Sequence, residues 1–161
     1  MLKRLASKLG LGPLRVTVDF PDRAYGLGET IDIEIAITPK GNSSINEGRV
    51  DLVCEERYAE TFTKMERVGL YPKGKTPPKD MFAKREVKVF KESYVHSSTI
   101  FLENARLQPG APARYNARLV IQPEPPPHAK VGTATWTLEA KVRIERGDTV
   151  SQARKVNVAV G

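Results

Sequence analysis

Apolar and polar residues alternate along most of this sequence from residue 14 onward. In the longest run, apolar side chains stand at Trp136, Leu138, Ala140, Val142 and Ile144, with mainly polar residues between them. Because successive side chains of a β-strand point to opposite faces, this spacing predicts a strand with one buried and one solvated face. The same spacing recurs at residues 16–20, 31–37, 50–54, 115–121 and 156–160.

Strands with one solvated face are typical of antiparallel sheets, whereas parallel strands are usually apolar on both faces. Turn-forming residues separate the strands at 21–22, 39–42, 108–110 and 147–148, and no helix long enough for a βαβ crossover fits between them. A length of 161 residues suits one domain. The sequence therefore predicts an all-β fold, an immunoglobulin-like antiparallel β-sandwich over residues 13–161.

Three segments interrupt the alternation. The leucines and alanine of residues 2–9 have the spacing of a short amphipathic helix, which a G-x-G turn ends within residues 1–12. Residues 69–80 are rich in Gly, Pro and Lys and predict the centre of an exposed basic loop at about 64–91. The proline-rich residues 123–128 cannot form a strand ladder, so they are predicted to run extended between two strands.

The net charge of +7 is unevenly distributed. Residues 1–15 carry +4 and residues 64–91 carry +6, so the rest of the chain is mildly acidic. This distribution indicates local contacts with anionic groups, and nucleic acid is not an expected partner. The single cysteine, Cys54, excludes an internal disulfide and, with no secretion signal or long apolar run, favours a cytoplasmic protein.

Two surfaces are candidates for contact with a protein partner, with a second copy of the chain or with an anionic membrane surface. In the N-terminal helix, the leucine side would dock on protein, while the basic residues suit acidic headgroups. The basic loop offers a second cluster of positive charge. The candidate contact residues are Leu2, Lys3, Arg4, Leu5, Lys8 and Leu9 in the helix, and Lys73, Lys75, Lys79, Lys84 and Arg85 in the loop.

One segment, Gly69–Thr76, formally matches the phosphate-binding pattern GxxxxGK[ST]. That loop needs a buried strand before it and a helix N-terminus after it. Here the preceding residues are polar, and Pro77 and Pro78 follow where the helix should begin. A nucleotide-binding enzyme that uses Lys75 is therefore only a remote alternative.

Other catalytic or metal-binding constellations are not evident, and no cofactor is expected. His96 lies in a polar strand segment, and His128 ends the proline-rich stretch; neither stands in a cluster of metal-ligand spacing. Cys54 shares the parity of Val50 and Leu52, which predicts a buried, inert thiol.

Several motifs together resemble the arrestin N-terminal-like family. Residues 25–29, YGLGE, are similar to the Y-x-P-G-E turn before the second strand, with leucine in place of the usual proline. Residues 45–58, 107–127 and 136–148 resemble the later strands and turns of that fold. The opening, MLKRLASKLGLGPLRVTV, is most similar to bacterial sporulation-control arrestin-like proteins of the stage-zero M type.

This resemblance implies a non-enzymatic adaptor or scaffold that mediates protein–protein interaction in bacterial regulation, for example of stress responses, sporulation or the cell envelope. An exposed edge strand or the N-terminal helix would carry the contact. The alternative is a peripheral module that binds anionic phospholipid surfaces. Relatives of this type commonly have two sandwich halves, and the residues here account for one.

Overall fold

The predicted all-β fold is confirmed by a computed structural model, which describes residues 13–65 and 83–160. Those residues form strands joined by turns, and the predicted N-terminal helix lies outside them. The eight strands of the described part are β1 (Leu14–Asp19), β2 (Ala24–Gly26), β3 (Thr30–Pro39), β4 (Ser43–Met65), β5 (Ala83–Leu107), β6 (Ala113–Val120), β7 (Gly132–Ile144) and β8 (Thr149–Ala159).

The strands form two sheets. One has the order β1-β3-β6, and the other has the order β2-β8-β7-β4-β5. All pairs are antiparallel except the short pair of β2 with β8, which is parallel. The antiparallel sandwich is thus confirmed, with one parallel pair at an edge.

The core lies between the sheets and is built by the alternating residues of each strand. Ile31, Ile33, Ile35 and Ile37 are buried on β3, as are Trp136, Leu138, Ala140 and Val142 on β7. Burial of apolar area at about 25 cal/mol per Å² is the main force that holds the sheets together.

The β4–β5 hairpin is much longer than the rest of the sandwich. Its strands have 23 and 25 residues, whereas β7 pairs with β4 only as far as Tyr58. Beyond Tyr58, residues 59–65 and 83–89 pair only with each other among the described residues, and we call this part the ribbon. Strand structure thus extends into both flanks of the segment 64–91, which was predicted as a loop. The strand was not predicted because the alternation at 85–90 lies among many charged residues. Residues 66–82 lie outside the described part.

Two bulges interrupt β5 where it passes the sandwich. His96 and Phe101 have no opposite residue on β4, so each is an extra residue that bends the strand. The ring of His96 packs edge-on against Trp136 at 4.9 Å, and its Nε2 lies 3.0 Å from the carbonyl oxygen of Gln122. The bulge therefore turns the His96 ring toward Trp136, whose side chain is buried.

Gly132 is required where β7 begins, because a Cβ at this position would collide with the carbonyl oxygen of Arg57. Gly132→Ala is expected to lower the free energy of unfolding by about 2 kcal/mol, as overpacking against backbone usually does. Gly41→Ala is the matched control, since no atom lies within 4 Å of a Cβ there. Urea denaturation of both variants checks this, and equal stabilities would contradict it.

Candidate interaction surface

Exposed apolar side chains are concentrated on β5. Val87 is 65% exposed, Val89 75%, Val95 50% and Ile100 51%, and we call these four residues the β5 stripe. Large apolar side chains with this exposure have lost little water on folding and are available for burial by a partner.

The β5 stripe lies on one face although its spacing is irregular. Val87, Val89 and Val95 are opposite Thr61, Ala59 and Val53 of β4, and directly opposite residues of an antiparallel pair share a face. The bulge at His96 then shifts the parity by one, so that Ile100 stands opposite Arg49 on the same outer face. The stripe therefore runs along the outer face of the five-stranded sheet.

β5 is also one of the two edge strands of that sheet, with β2 at the other edge. Among the described residues it pairs with β4 on one side and with no strand on the other. Residues 83–107 contain neither proline nor glycine, and the segment before His96 has no bulge. An edge of this kind presents a row of backbone donors and acceptors to which another strand can pair.

Charged residues of both signs lie along the same part of β5. Lys88 lies 5.5 Å from the ring centre of Phe62, and Lys91 forms an ion pair of 3.6 Å with Glu55. Glu92 accepts a hydrogen bond of 3.0 Å from the hydroxyl of Tyr58. The free edge therefore carries a specific charge pattern rather than a uniformly basic one.

Stacked rings support the inner face of the ribbon. The ring of His128 stacks on Tyr58 at 3.6 Å, Tyr58 stacks on Phe90 at 5.3 Å, and Phe90 meets Phe62 edge-on at 6.3 Å. Each aromatic pair at such a separation stabilises the fold by about 0.5–1.5 kcal/mol beyond the contribution of the apolar area that it buries. This column ties the ribbon to the connection between β6 and β7.

A buried carboxyl group lies at the base of the ribbon. Glu56 occupies an inward position in the series Val50, Leu52, Cys54 and is 1% exposed. It accepts hydrogen bonds from the backbone N–H of His128 at 2.8 Å and from the hydroxyl of Tyr94 at 3.2 Å. Since buried carboxyl groups are stable only when hydrogen-bonded, Glu56 anchors the proline-rich connection to β4.

A second buried carboxyl group lies on the outer face. Asp51 is covered by Arg49 and Lys141, whose cationic atoms lie 3.0 Å and 3.4 Å from its oxygens. It also accepts a hydrogen bond of 2.6 Å from Ser98 of β5. These contacts link β7, β4 and β5 across the face that carries the β5 stripe.

The proline-rich connection, residues 125–131, forms one wall of a groove of about 910 Å³. The rest of its lining is formed by Gly26, Leu27, Ala159 at the end of β8 and the following residue Val160. The lining is mainly apolar, and the groove lies beside the aromatic column because both include His128.

The YGLGE turn is stabilised by its own glutamate. Glu29 accepts a hydrogen bond of 2.6 Å from the backbone N–H of Gly26 and lies 3.3 Å from Arg23. The bond from Gly26, together with Arg23, lowers the pKa of Glu29 below its ordinary value. Gly28 has a φ of +86°, which explains a glycine at this position.

This lowered pKa predicts a pH dependence. A carboxyl group with a folded-state pKa below its unfolded value stabilises the fold at neutral pH and loses that contribution as pH falls below about 4.3. We expect the difference in melting temperature between the natural chain and Glu29→Gln to shrink between pH 7 and pH 3. Glu34 is exposed on β3, so Glu34→Gln controls for the loss of one carboxyl group. If the difference in melting temperature between the natural chain and Glu29→Gln did not depend on pH, the role of Glu29 would be contradicted.

Several buried groups are weaker acids than usual. Burial raises the pKa of the Cys54 thiol and of the Tyr94 and Tyr115 hydroxyls. Cys54 is fully buried, which confirms the prediction of a buried thiol and leaves it inert toward solutes. Within residues 13–65 and 83–160, no group of three or more His, Cys, Asp or Glu is placed to hold a metal ion.

Most of the predicted contact residues lie outside the described part of the chain. These are Leu2, Lys3, Arg4, Leu5, Lys8, Leu9, Lys73, Lys75 and Lys79, together with the phosphate-loop match at Gly69–Thr76. Lys84 and Arg85 lie in β5, and Arg85 is exposed. Contact with anionic membranes and nucleotide binding through Lys75 therefore stay predictions.

The β5 stripe and the buried positions of Glu56 and Asp51 were not predicted from the sequence. A signal for the stripe was present, since Arg85, Val87 and Val89 share one parity, but the surrounding charges concealed it. The burial of Glu56 had no comparable signal, because its donors come from Tyr94 and from the connection after β6. In the described residues, no helix has the length and apolarity that a membrane crossing requires.

Comparison with known proteins gives a likeness in fold. No protein-family model and no curated protein matches the sequence. Among solved structures, Spo0M, a sporulation control protein from Bacillus subtilis, matches with a TM-score of 0.58 and 16% identity. The match covers 93% of this chain and 51% of Spo0M, so this chain spans about half the length of that protein. At this identity the likeness concerns the fold alone, which this chain shares with that part of Spo0M.

Proposed function

We propose that this chain is a non-catalytic adaptor or scaffold domain that binds a protein partner along β5. The observation that carries the proposal is the β5 stripe on a free edge strand: Val87, Val89, Val95 and Ile100 are each at least 50% exposed on one face. Isolated exposed apolar residues are common, but four on one face of one edge strand indicate a contact surface.

The mode of binding that suits this surface is strand addition. A partner strand beside β5 would pair with its unpaired backbone groups, which supply affinity, while alternate side chains supply specificity. The outer-face valines would then be partly covered by the partner's own side chains. The regular segment before His96 is the part of β5 best suited to such pairing, because a bulge breaks the ladder.

A regulatory role in a bacterial cytoplasm is the cellular setting we propose. Its support is the fold shared with a protein named for sporulation control, together with the motifs that resemble that type. The Cys54 thiol also supports a binding role over a catalytic one, because burial raises its pKa and shields it from solutes.

Site-specific photocrosslinking tests this function. A photoreactive residue placed at Val89 is expected to give a discrete adduct in cells that express the chain, with the partner identified by mass spectrometry. The same residue at Val120, which is 51% exposed on β6, is the matched control and should give none. Equal labelling from both positions would contradict the proposal.

A substitution tests the same surface by affinity. Val87→Lys is expected to weaken partner binding at least about tenfold, about 1.4 kcal/mol, because a lysine ammonium resists burial. The melting temperature should stay within a few degrees of the natural chain, because Val87 is 65% exposed. Val120→Lys serves as the control, and unchanged binding by Val87→Lys would place the contact elsewhere.

A further inference from the structure

We propose that the partner on β5 is a second copy of this chain, paired antiparallel through residues 85–95 about a two-fold axis at Phe90. This inference rests on the proposed use of β5 as a contact edge and names its occupant. It would join two five-stranded sheets into one sheet of ten strands. The two-stranded ribbons, which are weakly stable when isolated, would then support each other.

Geometry restricts how β5 can pair with itself. In an antiparallel pair, directly opposite residues share a face, so a two-fold axis must pass through a residue position and not between two positions. The bulge at His96 ends the regular ladder on one side. A segment of eleven residues that begins at the exposed Arg85 and ends at Val95 is centred on Phe90.

The charges of this segment are self-complementary about Phe90. Lys88 of each copy stands opposite Glu92 of the second copy, which makes two reciprocal ion pairs, and both residues are exposed. No residue of the segment is then opposed by a like charge. The other opposed pairs are Arg85 with Val95, Val87 with Ser93, Val89 with Lys91, Glu86 with Tyr94, and Phe90 with itself.

Neighbouring registers place like charges in contact. With the axis at Val89, Glu86 of one copy stands opposite Glu92 of the other. With the axis at Lys88 or at Lys91, that lysine stands opposite the same lysine of the second copy. Direct opposition of like charges is destabilising. An axis at Val87 avoids this by pairing Glu86 with Lys88, but among the described residues of β5, which start at Ala83, its ladder has nine residues against the eleven about Phe90.

A charge-swap experiment tests this pairing. In the full chain, Lys88→Glu alone and Glu92→Lys alone should each weaken self-association at least about tenfold, because each puts two like-charge pairs into the dimer. When the two variants are mixed, opposite charges face each other again, and heterodimers should form with near-natural affinity. Analytical ultracentrifugation over a concentration series measures all three cases.

Controls separate pairing from folding. Lys155→Glu changes the same charge on β8, where Lys155 is exposed, and should leave self-association unchanged. Because Tyr58 donates to Glu92, Tyr58→Phe controls for the loss of that hydrogen bond in Glu92→Lys. Circular dichroism and melting temperature show whether each variant remains folded.

Each outcome decides the question. A natural chain that is monomeric at all concentrations overturns the dimer, while the crosslinking from Val89 still decides whether β5 binds a different protein. Sensitivity to Lys88→Glu but not to Glu92→Lys indicates the Val87 axis and overturns the one proposed. A dimer that neither variant weakens, or that mixing does not restore, uses another surface and also overturns the proposal.

Discussion

Glu56→Ala is expected to lower the free energy of unfolding by about 3 kcal/mol. The substitution removes the acceptor for the backbone N–H of His128 and for the hydroxyl of Tyr94, and each buried donor left without a partner costs about 1–3 kcal/mol. Urea denaturation followed by tryptophan fluorescence measures the loss, since Trp136 is the single tryptophan and is buried.

Two substitutions at the same position separate hydrogen bonding from packing. Glu56→Gln keeps a carbonyl oxygen for the His128 N–H and should cost much less than Glu56→Met, which fills similar space without an acceptor. The neighbouring Glu55 provides the matched control. Its ion pairs with Arg57 and Lys91 are partly exposed, so Glu55→Ala should cost below about 1 kcal/mol.

Glu56 also controls the position of the proline-rich connection, so a local effect should accompany the global one. In Glu56→Ala, backbone amides of residues 128–132 should exchange hydrogen faster, because the connection loses its bond to β4. If Glu56→Ala and Glu55→Ala proved equally stable, the anchoring role of the buried carboxyl group would be refuted.

Asp51→Ala is also expected to lower the free energy of unfolding by about 3 kcal/mol. Removing one member of a buried ion pair usually costs about 3–5 kcal/mol, and the lower end applies because Arg49 and Lys141 are partly exposed and can turn toward water. Ser98 would lose its 2.6 Å hydrogen bond as well, which weakens the attachment of β5 to β4. Thermal and urea denaturation measure this cost.

An exposed pair of the same chemistry is the control for Asp51. Asp32 lies 3.1 Å from Arg118, but the side chains are 69% and 81% exposed, so Asp32→Ala should cost at most about 1 kcal/mol. The contrast between the two aspartates measures what burial adds to an ion pair. A cost for Asp51→Ala no larger than that for Asp32→Ala would show that the outer-face network contributes little stability.

These two carboxyl groups and the β5 stripe belong to one structural unit. Glu56 secures the base of the ribbon, and Asp51 secures β5 to the sheet through Ser98. A rigid edge loses less conformational entropy when a partner strand pairs with it, so stability at these positions should support binding at Val87 and Val89.

Some features of the fold follow from local pattern. The alternating runs at 31–37 and 136–144 predicted strands with one buried face, and those faces form the core. The buried position of Cys54 followed from its parity with Val50 and Leu52. A period of two is a property of the strand itself, so it can be recognised without knowledge of the neighbouring strands.

Other features depend on strands distant in sequence. The side chain of His96 faces Trp136 because a bulge, defined only relative to β4, shifts the strand by one residue. Glu56 is buried because its donors come from Tyr94 and His128, 38 and 72 residues away. Such positions break the expected alternation of buried apolar and exposed polar residues. A single sequence does not show which distant groups offset the free-energy cost of burying a polar side chain.

The sequence by itself determined that this chain is a β-sandwich with a buried thiol, because alternation is a local property of each strand. Only the tertiary structure decided that β5 lies at a sheet edge and which of its faces is apolar. Strand order brings β5 to the end of the five-stranded sheet, and the bulge at His96 keeps Val87, Val89, Val95 and Ile100 on one side. The candidate interaction surface therefore arises from pairing between distant strands, which no local pattern encodes.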